Sequence, residues 1–117
     1  GGIIFYLDET KKHGLVCSSN DIGNNSWSNA VNICSNLTLQ GFSDWYLPSI
    51  SELDIIYNNL EATGIVDLPG TYYWSSTECN DTEAKEEYFG TASGWDGFIG
   101  CYSKESSGEY IRAIRSF

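Results

Sequence analysis

The sequence predicts an α+β fold in one domain, and three observations carry that prediction. Short apolar runs of strand character open the chain, two segments with a three- and four-residue apolar period follow, and β-type runs broken by Gly, Ser, Asn and Asp fill the rest. Length agrees, since 117 residues leave room for a single core at about 100–150 residues per domain, here residues 1–117. The absence of methionine leads us to expect a processed product or a domain excised from a longer protein.

Ile3 to Leu7 and Gly14 to Cys17 are apolar runs around the polar turn Asp8 to His13, which predicts two hairpin strands. From Ser26 the period changes. Trp27, Ala30, Val31, Cys34 and Leu37 share one helical face, Asn24-Asn25-Ser26 offers a capping side chain, and Gly41 is the expected stop, so the first helix should run from Trp27 to Leu39. Ser49 and Glu52 stand at the spacing of a capping box and open a second helix with Leu53, Ile56, Tyr57 and Leu60 on one stripe, ending near Gly64. Beyond Gly70 the runs Tyr72–Ser75, Glu87–Phe89, Phe98–Tyr102 and Tyr110–Arg115 read as strands.

Composition then removes whole classes of function. Six Lys and Arg against sixteen Asp and Glu give a net charge of −10, the wrong sign for a nucleic-acid or heparin binder, which works by neutralising phosphate or sulfate. An aromatic content of 15% separates the chain from disordered acidic sequences. No apolar run is long enough to span a membrane, so no membrane insertion by this domain is expected. Cys17, Cys34, Cys79 and Cys101 lie too far apart for a metal knuckle. They allow three disulfide pairings, or none. Of the pairings, Cys79 with Cys101 would staple the irregular late region and is favoured over Cys17 with Cys34.

The candidate chemistry is sparse. His13 is the sole histidine and sits in a Lys-Lys-His-Gly turn without a nucleophile elbow, so no catalytic residue is expected. Glu78, Asp81, Glu83, Glu86 and Glu87 form an acidic cluster that reads as a solvated loop and edge strand. Calcium is the alternative, but the EF-hand spacing is missing, and neither a metal nor a cofactor is expected. Glu86 and Glu87 would point to opposite faces of a strand, which disfavours a two-carboxylate hydrolase. Gly90 to Gly94 has two glycines without the Gly-Lys-Ser/Thr of a phosphate loop. The stretch Gly94-Trp95-Asp96-Gly97-Phe98 could stack on sugar rings or anchor a protein partner, or else fold back onto the core.

Several segments together resemble a known family. They are Gly1 to Asp8, His13-Gly14-Leu15-Val16, Trp27-Ser28-Asn29-Ala30 with Cys34, Gly41-Phe42-Ser43-Asp44-Trp45-Tyr46-Leu47-Pro48-Ser49 with Glu52-Leu53, Tyr73-Trp74-Ser75-Ser76-Thr77, and Ile111-Arg112-Ala113-Ile114-Arg115. The pattern is similar to the domain named after the C-terminal part of a bacterial collagen-like adhesin, the Lcl C-terminal domain. The resemblance implies a C-type-lectin-like fold, with two helices flanking twisted, mainly antiparallel sheets and a long irregular loop region that carries specificity. It also implies that Trp27, Ala30 and Cys34 pack the first helix on the sheet, and that Asp44, Trp45, Pro48 and Glu52 set the entry to the second. Tyr46 stands where the family usually has Arg. The Glu-Pro-Asn, Gln-Pro-Asp and Trp-Asn-Asp triplets of calcium-dependent sugar-binding lectins are absent, and the charge of −10 disfavours the sulfated glycans associated with the namesake.

The sequence therefore leads to the expectation of a non-enzymatic recognition module of an exported bacterial protein, extracellular or at the cell surface. Residues 1–76 and the last strand would form the scaffold. A glycan or protein ligand would meet the 77–107 region at Trp95, Asp96, Phe98, Tyr102 and Lys104, with Tyr46 as a further contact. The alternatives are a structural module that forms a homo-oligomer and, more remotely, a hydrolase using the 78–87 carboxylates.

Overall fold

The two opening apolar runs form a hairpin, Gly2–Leu7 (β1) against Gly14–Ser18 (β2), with an irregularity between Ile4 and Tyr6. The computed structural model describes residues 2–61, 71–90 and 97–117. Trp27–Ser35 (α1) and Ile50–Ile56 (α2) follow, and α2 continues into a π-helical turn over Tyr57–Glu61. Thr71–Glu78 (β3), Glu83–Phe89 (β4), Ile99–Ser103 (β5) and Ile114–Ser116 (β6) complete the elements. Two antiparallel sheets result, ordered β1-β2-β6 and β3-β4-β5. The α+β prediction agrees with this arrangement. Among the described residues, no helix is long and apolar enough to cross a membrane.

Side-chain alternation explains how β3 joins two cores. Tyr73 enters a cluster with Phe5, Cys17, Leu53, Ile56, Leu60, Phe89 and Ile114. Its neighbour Trp74 faces the other way, into a cluster with Ala30, Cys34, Trp45, Leu47, Ala84, Ile111 and Ala113. The second sheet thus has α2 on one face and α1 on the other. Indole N–H groups pin the second face: Trp27 donates to the Ser75 carbonyl, Trp74 to that of Asn25 and Trp45 to that of Leu39. Arg112 ties the last segment to the first sheet, donating to the Ser18 carbonyl and, at 2.6 Å, to Asp21, which also accepts from the Tyr73 hydroxyl.

The capping box at α2 is complete, with Ser49 Oγ accepting from the Glu52 N–H and the Glu52 carboxylate accepting from the Ser49 N–H. The prediction for α1 requires correction at both ends. Ser26 is the N-cap, but its side chain makes no cap bond, and Asn25 Oδ1 instead accepts from the Ser26 N–H and from the Asn29 side chain. The helix stops at Ser35, short of Leu39. Asn36 leaves the helical conformation, and Leu39 pairs with Phe42 across Gln40 and Gly41, both at positive φ (57° and 78°). Two successive positive φ values make the tight hairpin turn that Gly favours, so Gly41 closes a turn rather than capping a helix. The expected stop at Gly64 lies outside the described residues.

Two strand predictions also change. Tyr110 to Ala113 is held by isolated bridges, Tyr110 to Asn24 and to Tyr73, and only Ile114–Ser116 is a strand. The solvated acidic edge predicted around Glu86 and Glu87 is instead the central strand of its sheet, and both side chains are buried. β5 takes the edge, because Glu83 to Glu87 pair with Ser103 to Ile99.

Candidate functional site

The 77–107 region is built around one covalent tie. Cys79, just after β3, is bonded to Cys101 in β5, the pairing favoured from sequence. Cys17 and Cys34 are free and buried, and the second pairing does not form, because one thiol packs in each core cluster. Burial pushes the Cys17 thiol up to about 11 and the Cys34 thiol up to about 12, so both stay protonated and inert. Reducing the Cys79–Cys101 bond, which closes a separation of 22 residues, is expected to lower stability by about 3 kcal/mol. Urea unfolding with and without reductant measures this. Thiol titration of the oxidised protein should find Cys17 and Cys34 only after unfolding.

Phe98, just before the rim strand, and Tyr102, within it, are two of the predicted contacts and are 46% and 49% exposed. Lys104 is spoken for: its ammonium lies 2.7 Å from the Glu78 carboxylate, 3.1 Å from the Asp81 carbonyl and 4.6 Å from the centre of the Trp27 ring. It borders a hollow of about 330 Å³ lined by Asp81, Thr82, Ser103 and Glu105. Tyr46 belongs elsewhere. It bridges Ile114 of the first sheet and donates to Glu52 at 2.8 Å, and burial together with that carboxylate pushes its hydroxyl up to about 12. Trp95 and Asp96 lie outside the described residues, as does the Thr91–Gly94 part of the expected tight loop. His13 is in an exposed turn, with its ring 3.3 Å from the Phe117 carbonyl.

The pairing of β4 shows what sequence reasoning missed. Tyr72 stands opposite Tyr88, Trp74 opposite Glu86, Glu86 opposite Gly100 and Ala84 opposite Tyr102. Residues opposite each other, and residues two apart on one strand, share a face. Tyr72, Tyr88, Phe98 and Tyr102 therefore lie with Glu86 on one side of the sheet. The Tyr72 and Tyr88 rings meet edge to face, 5.0 Å between centres. The Phe98 ring lies against Gly100, where an added Cβ would come within 2.9 Å of it.

Beneath these rings, Glu86 and Glu109 are 4% and 5% exposed. Burial, and after it the neighbouring Glu109 carboxyl, drives the Glu86 carboxyl far above the usual carboxylate range. The two therefore hold a proton between them. Glu109 also accepts from the Ser106 hydroxyl. Glu86 in turn helps raise the Tyr72 hydroxyl, behind the effect of burial. Glu87 faces α2 on the other side of the sheet, where burial and then Asp54 raise it to about 9. Glu86 is thus the acid that shares a face with the exposed rings, and Glu87 is closed into the core. The sequence holds the signal, a two-residue alternation of aromatic and acid along β4, but reading it requires the register of β3 and β5.

Among the described residues no three His, Cys, Asp or Glu side chains converge as a metal-binding group. No curated protein matches the sequence. The model of the Lcl C-terminal domain matches residues 9–115. That span runs from the turn before β2 to the Arg115 that closes the Asp44 ion pair in β6, and the chain belongs to the Lcl C-terminal domain family.

Proposed function

We propose that this domain is a non-enzymatic ligand-recognition module of an exported bacterial protein, C-type-lectin-like in fold, which meets a glycan or protein ligand through its 77–107 region. The observation that carries the reading is the pair of large rings, Phe98 just before β5 and Tyr102 within it, left about half exposed beside the Cys79–Cys101 bond that anchors the strand. Rigid aromatic side chains give contact area at low entropic cost, and a stapled strand holds them in place. The disulfide itself supports an oxidising, extracellular location. Two helices with two antiparallel sheets suit the lectin-like architecture.

The test replaces Trp95, Phe98 and Tyr102 together by alanine and compares both proteins on glycan and protein arrays, with and without calcium. Binding is expected to fall at least about tenfold while the unfolding midpoint changes little, since the half-exposed Phe98 and Tyr102 rings contribute little to folding. Ligand binding unchanged by the triple substitution removes this reading.

A second reading, a structural module that assembles with copies of itself, draws on a different surface. Ile4, Tyr6 and Leu7 on β1, with Phe42 and Phe117, are exposed large apolar side chains. A concentration-dependent dimer or trimer in sedimentation would favour it. A hydrolase is less well supported, because Glu86 and Glu87 face opposite ways and Glu86 touches Glu109 closely enough to share a proton. That pair is in hydrogen-bond contact, closer than the about 5–9 Å carboxyl separations of glycosidases.

A further inference from the structure

The face formed by Tyr72, Tyr88, Phe98 and Tyr102 has a floor unlike that of a neutral stacking platform. Glu86 and Glu109 are more than nine-tenths buried there, and among the described residues no other group donates to Oε2 of either, so the proton the pair shares is the compensation these oxygens have. A buried carboxyl oxygen without a donor is costly, and where Glu87 carries two of them closed into the core, those of Glu86 and Glu109 lie on the side of the sheet that bears the exposed rings. Among the described residues no lysine or arginine pairs with these two carboxyls. Lys104 is committed to Glu78, Arg112 to Asp21 and Arg115 to Asp44. Lys85 neighbours Glu86 along β4 and so projects from the opposite face. Lys11 and Lys12 lie in the turn between β1 and β2.

We propose that this face binds a primary alkylammonium group, with the Glu86 and Glu109 carboxyls as its counter-charge and hydrogen-bond acceptors. The inference rests on the recognition reading above and names its ligand chemistry. The faces of aromatic rings attract cations, and the attraction strengthens away from water. An ammonium also brings three N–H donors for the two unpaired oxygens. A neutral sugar could stack on the same rings, but it carries no positive charge for the ring faces to attract. A lysine side chain on a protein partner and a free small amine present the same group.

The chemistry carries a proton signature. Without ligand, the pair keeps one proton, and the groups facing it are Tyr72 from β3, Tyr102 from β5, Tyr88 from β4 itself and Glu109 from the segment before β6. When the ammonium enters, its charge replaces that of the shared proton, which leaves to the buffer. Each binding event then releases up to one proton, and affinity rises with pH until the pair loses that proton unaided.

Calorimetric titration of the oxidised domain with Nα-acetyl-lysine methylamide, in two buffers of different ionisation enthalpy, tests the proposal. Binding is expected to be at least about tenfold tighter near pH 8.5 than near pH 6.5, with net proton release. Glu86→Gln, which keeps shape and removes charge, is expected to lose about tenfold or more and to abolish the proton release. Tyr102→Ala keeps the acid pair and should weaken binding severalfold, which provides a test even if Glu86→Gln fails to fold. Choline, lacking N–H donors, should bind more weakly than the lysine derivative, and n-butylamine binding as tightly would identify a free amine as sufficient. No binding at millimolar concentration, or equal affinity in Glu86→Gln, overturns the proposal. If array ligands still depend on Phe98 and Tyr102 in that case, the recognition reading stands and only the ammonium assignment falls.

Discussion

Replacing Arg112 by alanine is expected to lower the unfolding free energy by about 3–5 kcal/mol, a large part of the roughly 5–15 kcal/mol that holds a domain of this size together. Arg112 is buried, its Nη1 donates to the Ser18 carbonyl at 2.8 Å, and its Nη2 meets Asp21 at 2.6 Å. Asp21 also accepts a hydrogen bond from the hydroxyl of Tyr73, a fully buried residue at the junction of the two sheets. Removing the guanidinium leaves the Asp21 carboxylate without its counter-charge and the Ser18 carbonyl without its Arg112 donor. Burial opposes the charge on Arg112, but Asp21 and Tyr73 more than offset it and raise its pKa. Lysine keeps the charge but lacks the planar fork that serves both acceptors, so Arg112→Lys should recover only part of the loss. Arg115→Ala removes the Asp44 pair, in which Asp44 is 58% exposed. It should shift the urea midpoint far less, because exposed pairs are weak. Urea unfolding of the three variants measures the ordering, and an Arg112→Ala midpoint equal to that of Arg115→Ala would refute it.

Local signals were legible in the sequence and long-range ones were not. The Ser49–Glu52 capping box needs only residues three apart, and it is present in full. The apolar stripe of Leu53, Ile56 and Leu60 likewise depends on helical spacing alone, and all three are buried. The end of α1 was misjudged because Leu37 continues the apolar period while the backbone has already turned at Asn36. The largest misreading, Glu86 and Glu87 as solvated, followed from reading acids as surface. Whether a strand is central depends on the partner that pairs with its far side, here β5, which comes later in the chain. The same gap hid Glu109 and Tyr72, which reach the Glu86 face from segments far apart in sequence. For the Gly94–Phe98 stretch the sequence leaves stacking on a ligand and folding back onto the core as alternatives, because only the packed core decides which, and the Phe98 ring is 46% exposed.

Stability is expected to be greatest in mild acid and to fall as pH rises from about 4.5 toward 9. Burial raises Glu86 from 4.5 to about 8 and Glu87 from 4.5 to about 9, with Glu109 and Asp54 as the next causes. The unfolded chain releases these protons near pH 4.5, whereas the folded domain keeps them. Between those limits the folded state binds more protons, so each rise in pH favours unfolding, by on the order of 1 kcal/mol per pH unit for each group. The contribution is fully present below the unfolded pKa and is lost once pH passes the folded values. Asp8 and Asp44 act oppositely, being lowered by the Thr10 hydroxyl and the Arg115 guanidinium respectively. Their stabilisation disappears only below about pH 4, and both are exposed enough that the effect is small. Repulsion within a chain of charge −10 also grows with pH, but salt screens it over about 8 Å at physiological ionic strength while buried carboxyls are screened far less. Urea midpoints at about pH 5, 7 and 9 in 0.5 M salt should therefore keep their slope in the parent domain. Glu87→Gln should flatten that slope and make the domain more stable than the parent at pH 8, with no gain below pH 4. Glu86→Gln should remove the remaining share, since each variant replaces a proton that must be held by one that cannot leave. A parent midpoint constant between pH 5 and 9 would show that neither acid keeps its proton in the fold.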